Sequence, residues 1–326
     1  MSIAATLDRQ DQSTGLFHPR RLGHANLYVS DYERAQEFYY RVAGFHEVYR
    51  QPDNQASFIS NGNTYHDFGL TDVRSHYAPK GQKPGLFHLA FEVETEAQLV
   101  EDFYRAEAAG EKFPKIRDHD VAHSLYRDDP DGNMMEIYAD VIRDWRAVRS
   151  GIIIKEKPEW VPGVTNPPST ERNYPIDPEI RVVKDAIFHS TKVTHVAMVA
   201  ADYEAMYRFY TYVVGLSPLT GGPKAPFAVL TGTCGVGDLT LLRRRPGLEP
   251  GFHHVGIMVQ DEPDLARSLA ALGGAGIKLE REVVHAARRT VCIKDPDGIG
   301  LHFYVNRDWT PSALADVDAE TAAYLL

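Results

Sequence analysis

Short runs of alternating polar and apolar positions, broken by stretches at helical spacing, set the rhythm of the chain. Over residues 22–29 the alternation puts His24, Asn26 and Tyr28 on one face of a strand and Ala25, Leu27 and Val29 on the other. Ser30 and Glu33 then form a capping box. Ala35, Phe38, Tyr39 and Val42 follow as the apolar stripe of a helix that Gly44 stops. Strands are predicted at residues 45–51, 56–60 and 64–70, completing a β-α-β-β-β unit. The pattern begins again at residues 87–93, with His88, Ala90 and Glu92 on one face. Thr95 and Gln98 cap a helix carrying Leu99, Phe103 and Ala106, and Gly110 ends it. Strands at residues 124–127 and 133–139 follow, joined by Asp129-Pro130-Asp131-Gly132, where proline fixes φ and glycine tolerates positive φ. On the last strand Met134, Glu136 and Tyr138 share one face.

The pattern fails over residues 141–192, where prolines at 158, 162, 167, 168, 175 and 178 predict a linker wrapped over a domain surface. Then the first half restarts. Residues 194–199 match 23–28, so His195 answers to His24. Asp202 opens a helix carrying Met206, Phe209, Tyr210 and Val213, which Gly215 stops. His254 answers to His88, and Asp295-Pro296-Asp297-Gly298 to Asp129-Pro130-Asp131-Gly132, at the same interval, so the chain is an internal duplication. The expected organisation is an arm at 1–21, a domain at 22–140, the linker at 141–192, a second domain at 193–307 and a tail at 308–326. The expected class is α+β, with tandem βαβββ modules forming two cupped mixed-sheet barrels.

Composition narrows the partners. A chain of 326 residues with 43% hydrophobic and 25% charged positions suits two ordinary globular domains. A net charge of −10 argues against nucleic acid or an anionic membrane as partner. No apolar run approaches the roughly 20 residues of a membrane span, and the first residues lack a charged-then-apolar leader. Cys234 and Cys292 are too few for a disulfide framework or a thiolate metal site, which fits the reducing cytoplasm. A closed homo-oligomer is the common assembly for such a chain.

His24 lies on the opening strand of the first unit, His88 on that of the second, and Glu136 on the closing strand of the second. In one cupped sheet these same-face side chains converge. Two imidazoles and one carboxylate on one face of a metal, with the opposite face open, form the ligand set of non-haem Fe(II) oxygenases. Taken singly, a strand histidine is more often a satisfied polar residue and a strand glutamate a surface one. Three matched positions in a duplicated scaffold make that reading the poorer one.

The run Asp118-His119-Asp120, Ser124-Leu125-Tyr126, Asp129-Pro130-Asp131-Gly132-Asn133 and Glu136-Ile137-Tyr138 resembles the signature of type I extradiol catechol 2,3-dioxygenases, within the vicinal oxygen chelate superfamily. The resemblance covers nearly all of 22–140 and, more loosely, 193–307. It implies the vicinal oxygen chelate fold, Fe(II) with Mn(II) as a substitute, and Glu136 as the third ligand. It implies that Tyr126 contacts substrate, with His119 as its neighbour in the pocket. Tyr65-His66-Asp67-Phe68-Gly69-Leu70 resembles the family's His-Asp strand and gives His66 the acid/base role, while His123 receives none. The activity implied is ring cleavage of a catechol with O₂. The second half departs from the pattern: His302 stands at the glutamate position, Cys292 at the tyrosine position, and no histidine answers to His66. His195, His254 and His302 could hold Zn(II), but a retired site is the preferred reading, with the chemistry in the first half. The rival readings are a glyoxalase-like metal-dependent isomerase or lyase, and a non-enzymatic protein that binds a small aromatic.

Overall fold

Strong alternation gives strands, and the structure builds two mixed sheets from them. The computed structural model describes residues 15–154 and 158–326, so most of the expected arm, residues 1–14, lies outside the described residues. The first half runs β1 (Arg21–Val29), α1 (Tyr32–Arg41), β2 (Glu47–Gln51), β3 (Ala56–Ile59), β4 (Phe68–Asp72), β5 (Gly85–Glu92), α2 (Glu96–Ala108), β6 (Lys115–Asp118), β7 (Ala122–Asp128) and β8 (Met134–Asp140). The short strand β9 (Gly151–Ile152) comes from the linker and pairs with β2. The sheet order is β6-β7-β8-β5-β1-β4-β3-β2-β9. Two βαβββ units thus join through their first strands, β1 and β5, which pair antiparallel. Within each unit the first strand pairs parallel with the last. Gln51 and Lys115, near opposite edges of the sheet, line one cavity, so the sheet is curled into a cup.

The second half repeats this with β10 (Ser190–Ala200), α3 (Tyr203–Arg208), β11 (Ser217–Gly221), β12 (Phe227–Thr231), β13 (Leu239–Arg243), β14 (Gly251–Val259), α4 (Glu262–Ala271), β15 (Arg281–Val284), β16 (Arg288–Lys294) and β17 (Gly300–Asn306), in the order β11-β12-β13-β10-β14-β17-β16-β15. The helix expected through Val213 is α-helical only to Arg208 and continues as a π-helical turn at Phe209–Val213. The tail folds into α5 (Pro311–Ala315) and α6 (Ala319–Leu325). Leu314, Ala322, Ala323 and Leu325 pack there against Val199, Phe227, Val229 and Leu242, filling the second cup with apolar side chains. Among the described residues, no helix is long and apolar enough to cross a membrane.

One apolar core runs through both halves, from Ala25, Leu27 and Tyr39 to Phe188, Val196 and Tyr210. Polar clasps flank it, each made twice. Asp297 accepts from the Ser30 amide (2.8 Å), the Ser30 hydroxyl (2.5 Å) and Arg34 (2.7 Å). In mirror fashion, Asp131 accepts from the amides of Ala201 and Asp202. The Tyr210 hydroxyl donates to Asp129 (2.9 Å), and the Tyr39 hydroxyl to Asp295 (3.4 Å). Asp67 accepts from the Val193 amide (3.0 Å), and Asp238 from the Leu22 amide (2.7 Å). Gly44 (φ +77) and Gly215 (φ +83) end their helices where a Cβ would strike the Phe188 and Phe17 carbonyls at 2.0 and 1.7 Å.

This arrangement corrects the expected start of α1. Asp31, not Ser30, is the N-cap and accepts from the amides of Glu33 and Arg34, because the Ser30 hydroxyl is committed to Asp297 across the interface.

Candidate metal centre and cavity

Register decides which side chains meet. His24 lies opposite Ala90 in the β1–β5 pairing, Ala90 beside Glu136 in β5–β8, Glu136 opposite Tyr126 in β7–β8, and Tyr126 opposite Lys115 in β6–β7. Residues paired across neighbouring strands share a face. One row therefore crosses the floor of the cup, and His88, opposite Asn26, stands next to it.

In that row His24 Nε2 and His88 Nε2 lie 3.2 and 3.1 Å from Glu136 Oε2. One ligand atom from each of the three residues falls within 4.8 Å of the others, and all three residues are at most 5% exposed. Hydrogen bonding alone leaves the cluster unsatisfied. The Asn26 amide nitrogen sits 3.1 Å from His88 Nε2, its orientation set by Asn26 Oδ1, which accepts from the Gly69 amide at 2.6 Å. If His88 Nε2 keeps its lone pair for that donor, it faces the lone pairs of Glu136. If it carries a proton for Glu136, it faces the Asn26 N–H. A cation shared by the two imidazoles and the carboxylate removes the repulsion between His88 Nε2 and Glu136, and borderline nitrogen donors with one carboxylate suit a divalent transition metal.

The electrostatics prepare the same state. Burial opposes ionisation of Glu136, but the hydrogen bonds and charge of His24 and His88 outweigh it and hold the carboxyl well below its usual range. Burial pushes His88 down to about 4, with Glu136 pulling the other way. An anionic carboxylate beside neutral imidazole is the form that ligates a metal.

His66 stands against this cluster, its ring centroid 4.1 Å from that of His24. It lies not on a strand, as the sequence predicts, but in the loop before β4. Ser60 Oγ bonds both the Thr64 carbonyl and Asp67, which folds the backbone over instead of extending it. Asp67 thus points to the other half and does not orient His66. Both His66 ring nitrogens are buried without a partner, and burial pushes the imidazole well below its usual value. It is therefore neutral, not evenly poised near pH 7 as an unperturbed imidazole would be.

Tyr126 and His119 form a pair, hydroxyl to Nε2, at 2.8 Å. Burial, with Glu136 adding to it, raises the phenol well above 10 and keeps it a donor. His119 precedes Asp120, whose φ of +62 is left-handed, and Arg149 ties the turn down through the His119 carbonyl and the Asp120 carboxylate (3.2 Å). His24, His66, His88, His119, Tyr126 and Glu136 all line one cavity of about 900 Å³.

His123 lies outside it. It projects from the opposite face of β7, 2.7 Å from Glu96, and its ring stacks on Trp160 at 4.3 Å. Glu96 also accepts from Asn166 and the Ser169 amide, so this cluster pins the linker to the first half.

The sequence assigned no role to Asn26, Lys115, Arg117 or Arg149. Asn26 carried a signal, since it shares the His24 face. Arg149 carried none, because it arrives from a segment without periodicity.

In the second half the equivalent row is His195, Gly256, His302, Cys292 and Arg281. The ligand-distance cluster there is His253, His254 and His302, not the expected set containing His195. His195 Nδ1 is 3.0 Å from the Thr194 hydroxyl. The His254 and His302 rings stack at 3.5 Å, and His253 Nδ1 lies 2.7 Å from His254 Nδ1. Leu326, just beyond α6, is buried in the apolar filling of this cup.

Among the described residues, a duplicated βαβββ scaffold of two cupped sheets carries a two-histidine, one-carboxylate cluster with the spacing to hold a metal. Residues 21–137 and 192–303 match the model of the Glyoxalase/Bleomycin resistance protein/Dioxygenase superfamily, and the chain belongs to it. It is 26% identical over 204 residues to a catechol-2,3-dioxygenase of Bacillus subtilis (strain 168), covering 62% of this chain and 67% of that protein. It is 30% identical over 123 residues to biphenyl-2,3-diol 1,2-dioxygenase 3 of Rhodococcus globerulus, covering 37% of this chain and 63%, under two thirds, of that protein. Among solved structures, the 2,3-dioxygenase LapB of Pseudomonas sp. KL28 superposes with a TM-score of 0.64 at 16% identity, over 89% of this chain and 93% of that one. At that identity the likeness is one of fold.

Proposed function

We propose that the chain is an Fe(II)-dependent extradiol dioxygenase that opens a catechol ring with O₂ in its first half, with His24, His88 and Glu136 as the metal ligands. The observation that carries this reading is the convergence of those three buried side chains beside a neutral, unpartnered His66 in one cavity. Named dioxygenases among the sequence relatives support it. Bound there, Fe(II), or Mn(II) as a substitute, supplies the redox-active Lewis acid that couples an electron-rich ring to O₂.

The chain's own residues do the rest. Neutral His66 accepts a proton from a catechol hydroxyl and returns it later in the cycle. The Tyr126 hydroxyl, held by His119, donates to a substrate oxygen and fixes the plane of the ring. Phe58, Phe87 and Tyr49 give the cavity an aromatic wall that keeps water from the ring. The second half, its cup filled by α6, serves as a structural partner. We place the enzyme in the cytoplasm as a homo-oligomer, a setting that agrees with two free cysteines.

The test is anaerobic Fe(II) loading followed by a panel of substituted catechols. One iron per chain, O₂ uptake and a yellow ring-opened product are expected. Tight binding of catechols with loaded iron but no O₂ uptake would instead make the chain an aromatic-binding protein.

A further inference from the structure

Strand β6 carries Lys115 and Arg117 two residues apart, so both stand on the same face, and both line the cavity. The Lys115 ammonium is half-buried and sits 4.5 Å from the centre of the Tyr126 ring. Among the described residues, neither Lys115 nor Arg117 has a hydrogen-bonded or ion-paired carboxylate. Several arginines of the first half, by contrast, are ion-paired. Arg20 and Arg21 are held by Glu92, Arg50 by Glu47, Arg74 by Asp72, and Arg127 by Glu111. The net charge is −10, so acidic partners are not scarce. The charges that act on Lys115 are Glu136, which attracts, and Arg117, which repels. Glu136 is already shared by two imidazoles. The one other carboxylate in the lining, Asp53, is exposed at the rim. Arg149 adds a third cation to the same cavity.

A half-buried ammonium that faces an aromatic ring and has no carboxylate in hydrogen-bond reach has lost hydration with only partial compensation. An anionic ligand group restores it through a charge-assisted hydrogen bond, among the strongest available. Register sets the reach. Lys115 lies two strands from Glu136 in the same row, about 10 Å at about 4.8 Å per strand. A catechol with its hydroxyls at the ligand cluster spans that gap with its ring and one substituent.

We infer that Lys115, backed by Arg117 at the mouth, receives a carboxylate carried on the ring, so that the substrates are acidic catechols rather than neutral alkyl- or aryl-catechols. This rests on the proposed function for where the hydroxyls lie.

The experiment uses the Fe(II)-loaded protein without O₂ and two probes of the same shape, 3,4-dihydroxybenzoate and 3,4-dihydroxybenzamide. The wild type is expected to bind the acid about tenfold or more tighter than the amide, the scale of a hydrogen bond to a charged group. Lys115→Met should bring that ratio toward one, and Lys115→Arg should keep it. A wild-type ratio near one would overturn the inference. So would a Lys115→Met variant that weakens both probes equally, because the lysine would then act on the ring or on Tyr126. Admitting O₂ separates this inference from the proposed function. A preference for the acid without ring opening keeps the carboxylate site and defeats the dioxygenase reading. Ring opening of the amide alone does the reverse.

Discussion

At the scale of single residues, three buried side chains answer a need that none meets alone. Glu136 sits between two imidazoles and, with a metal, supplies the one negative charge of the ligand set. Glu136→Ala should therefore lose stoichiometric metal while its far-UV circular dichroism stays unchanged. Metal analysis of the purified variant checks this, and full occupancy would reassign the ligands. His66 predicts the opposite pattern. His66→Phe should keep its metal and its catechol affinity but lose about 10²–10⁴ in kcat, the usual contribution of a positioned proton carrier. Iron content, ligand affinity and turnover from one preparation decide it; loss of iron would make His66 a ligand. The convergence was legible because alternation fixes the face of His24, His88 and Glu136, and the repeat makes the two histidine strands, β1 and β5, equivalent. The loop position of His66 was not legible, because it depends on one hydroxyl, that of Ser60, turning the chain between strands. Arg149 was invisible for a related reason: only the folded linker brings it to His119.

At the scale of elements, most first-half strands and both first-half helices could be read from periodicity, while the charged strand β6 could not. Strand β6 has four residues, Lys-Ile-Arg-Asp, and holds its place by pairing with β7 rather than through an apolar face of its own. The sequence pattern points to Ser30 as the cap of α1, and Asp31 takes its place because of a contact with the other half of the chain. Helix α6 gives the clearest test at this scale. Leu325 is 1% exposed within the apolar filling of the second cup. Leu325→Ala should cost about 2–5 kcal/mol of stability, as leucine deletions in cores do. Denaturant unfolding measures that loss. The metal content of the first half should not change, and a parallel fall in iron would show that the second cup takes part in the chemistry.

At the scale of the whole molecule, the duplication was plain in the sequence, but the use made of it was not. The two Asp-Pro-Asp-Gly segments read as turns, which they are, yet their carboxylates also close the interface between the halves. That closure has a pH signature. Burial pushes the Asp295 carboxyl up to about 6, above the value of about 4 for an unfolded chain. The folded state therefore holds this proton more tightly. The stability tied to it is full below about pH 4 and is lost as pH rises from about 4 to 6. Asp295→Asn should remove that slope while keeping a side-chain acceptor for the Ile299 amide. Melting temperatures from pH 4 to 7 should shift in the variant's favour as pH rises, and parallel curves would refute the assignment. The clasps also say what each half needs. A half standing alone would present Asp67, Asp129 and Asp131 to water, and the donors that meet them are the start of the opposite half's first strand, the entry to its first helix and that helix's buried tyrosine. The internal repeat thus supplies within one chain the contacts that a single half would have to find in a second copy of itself.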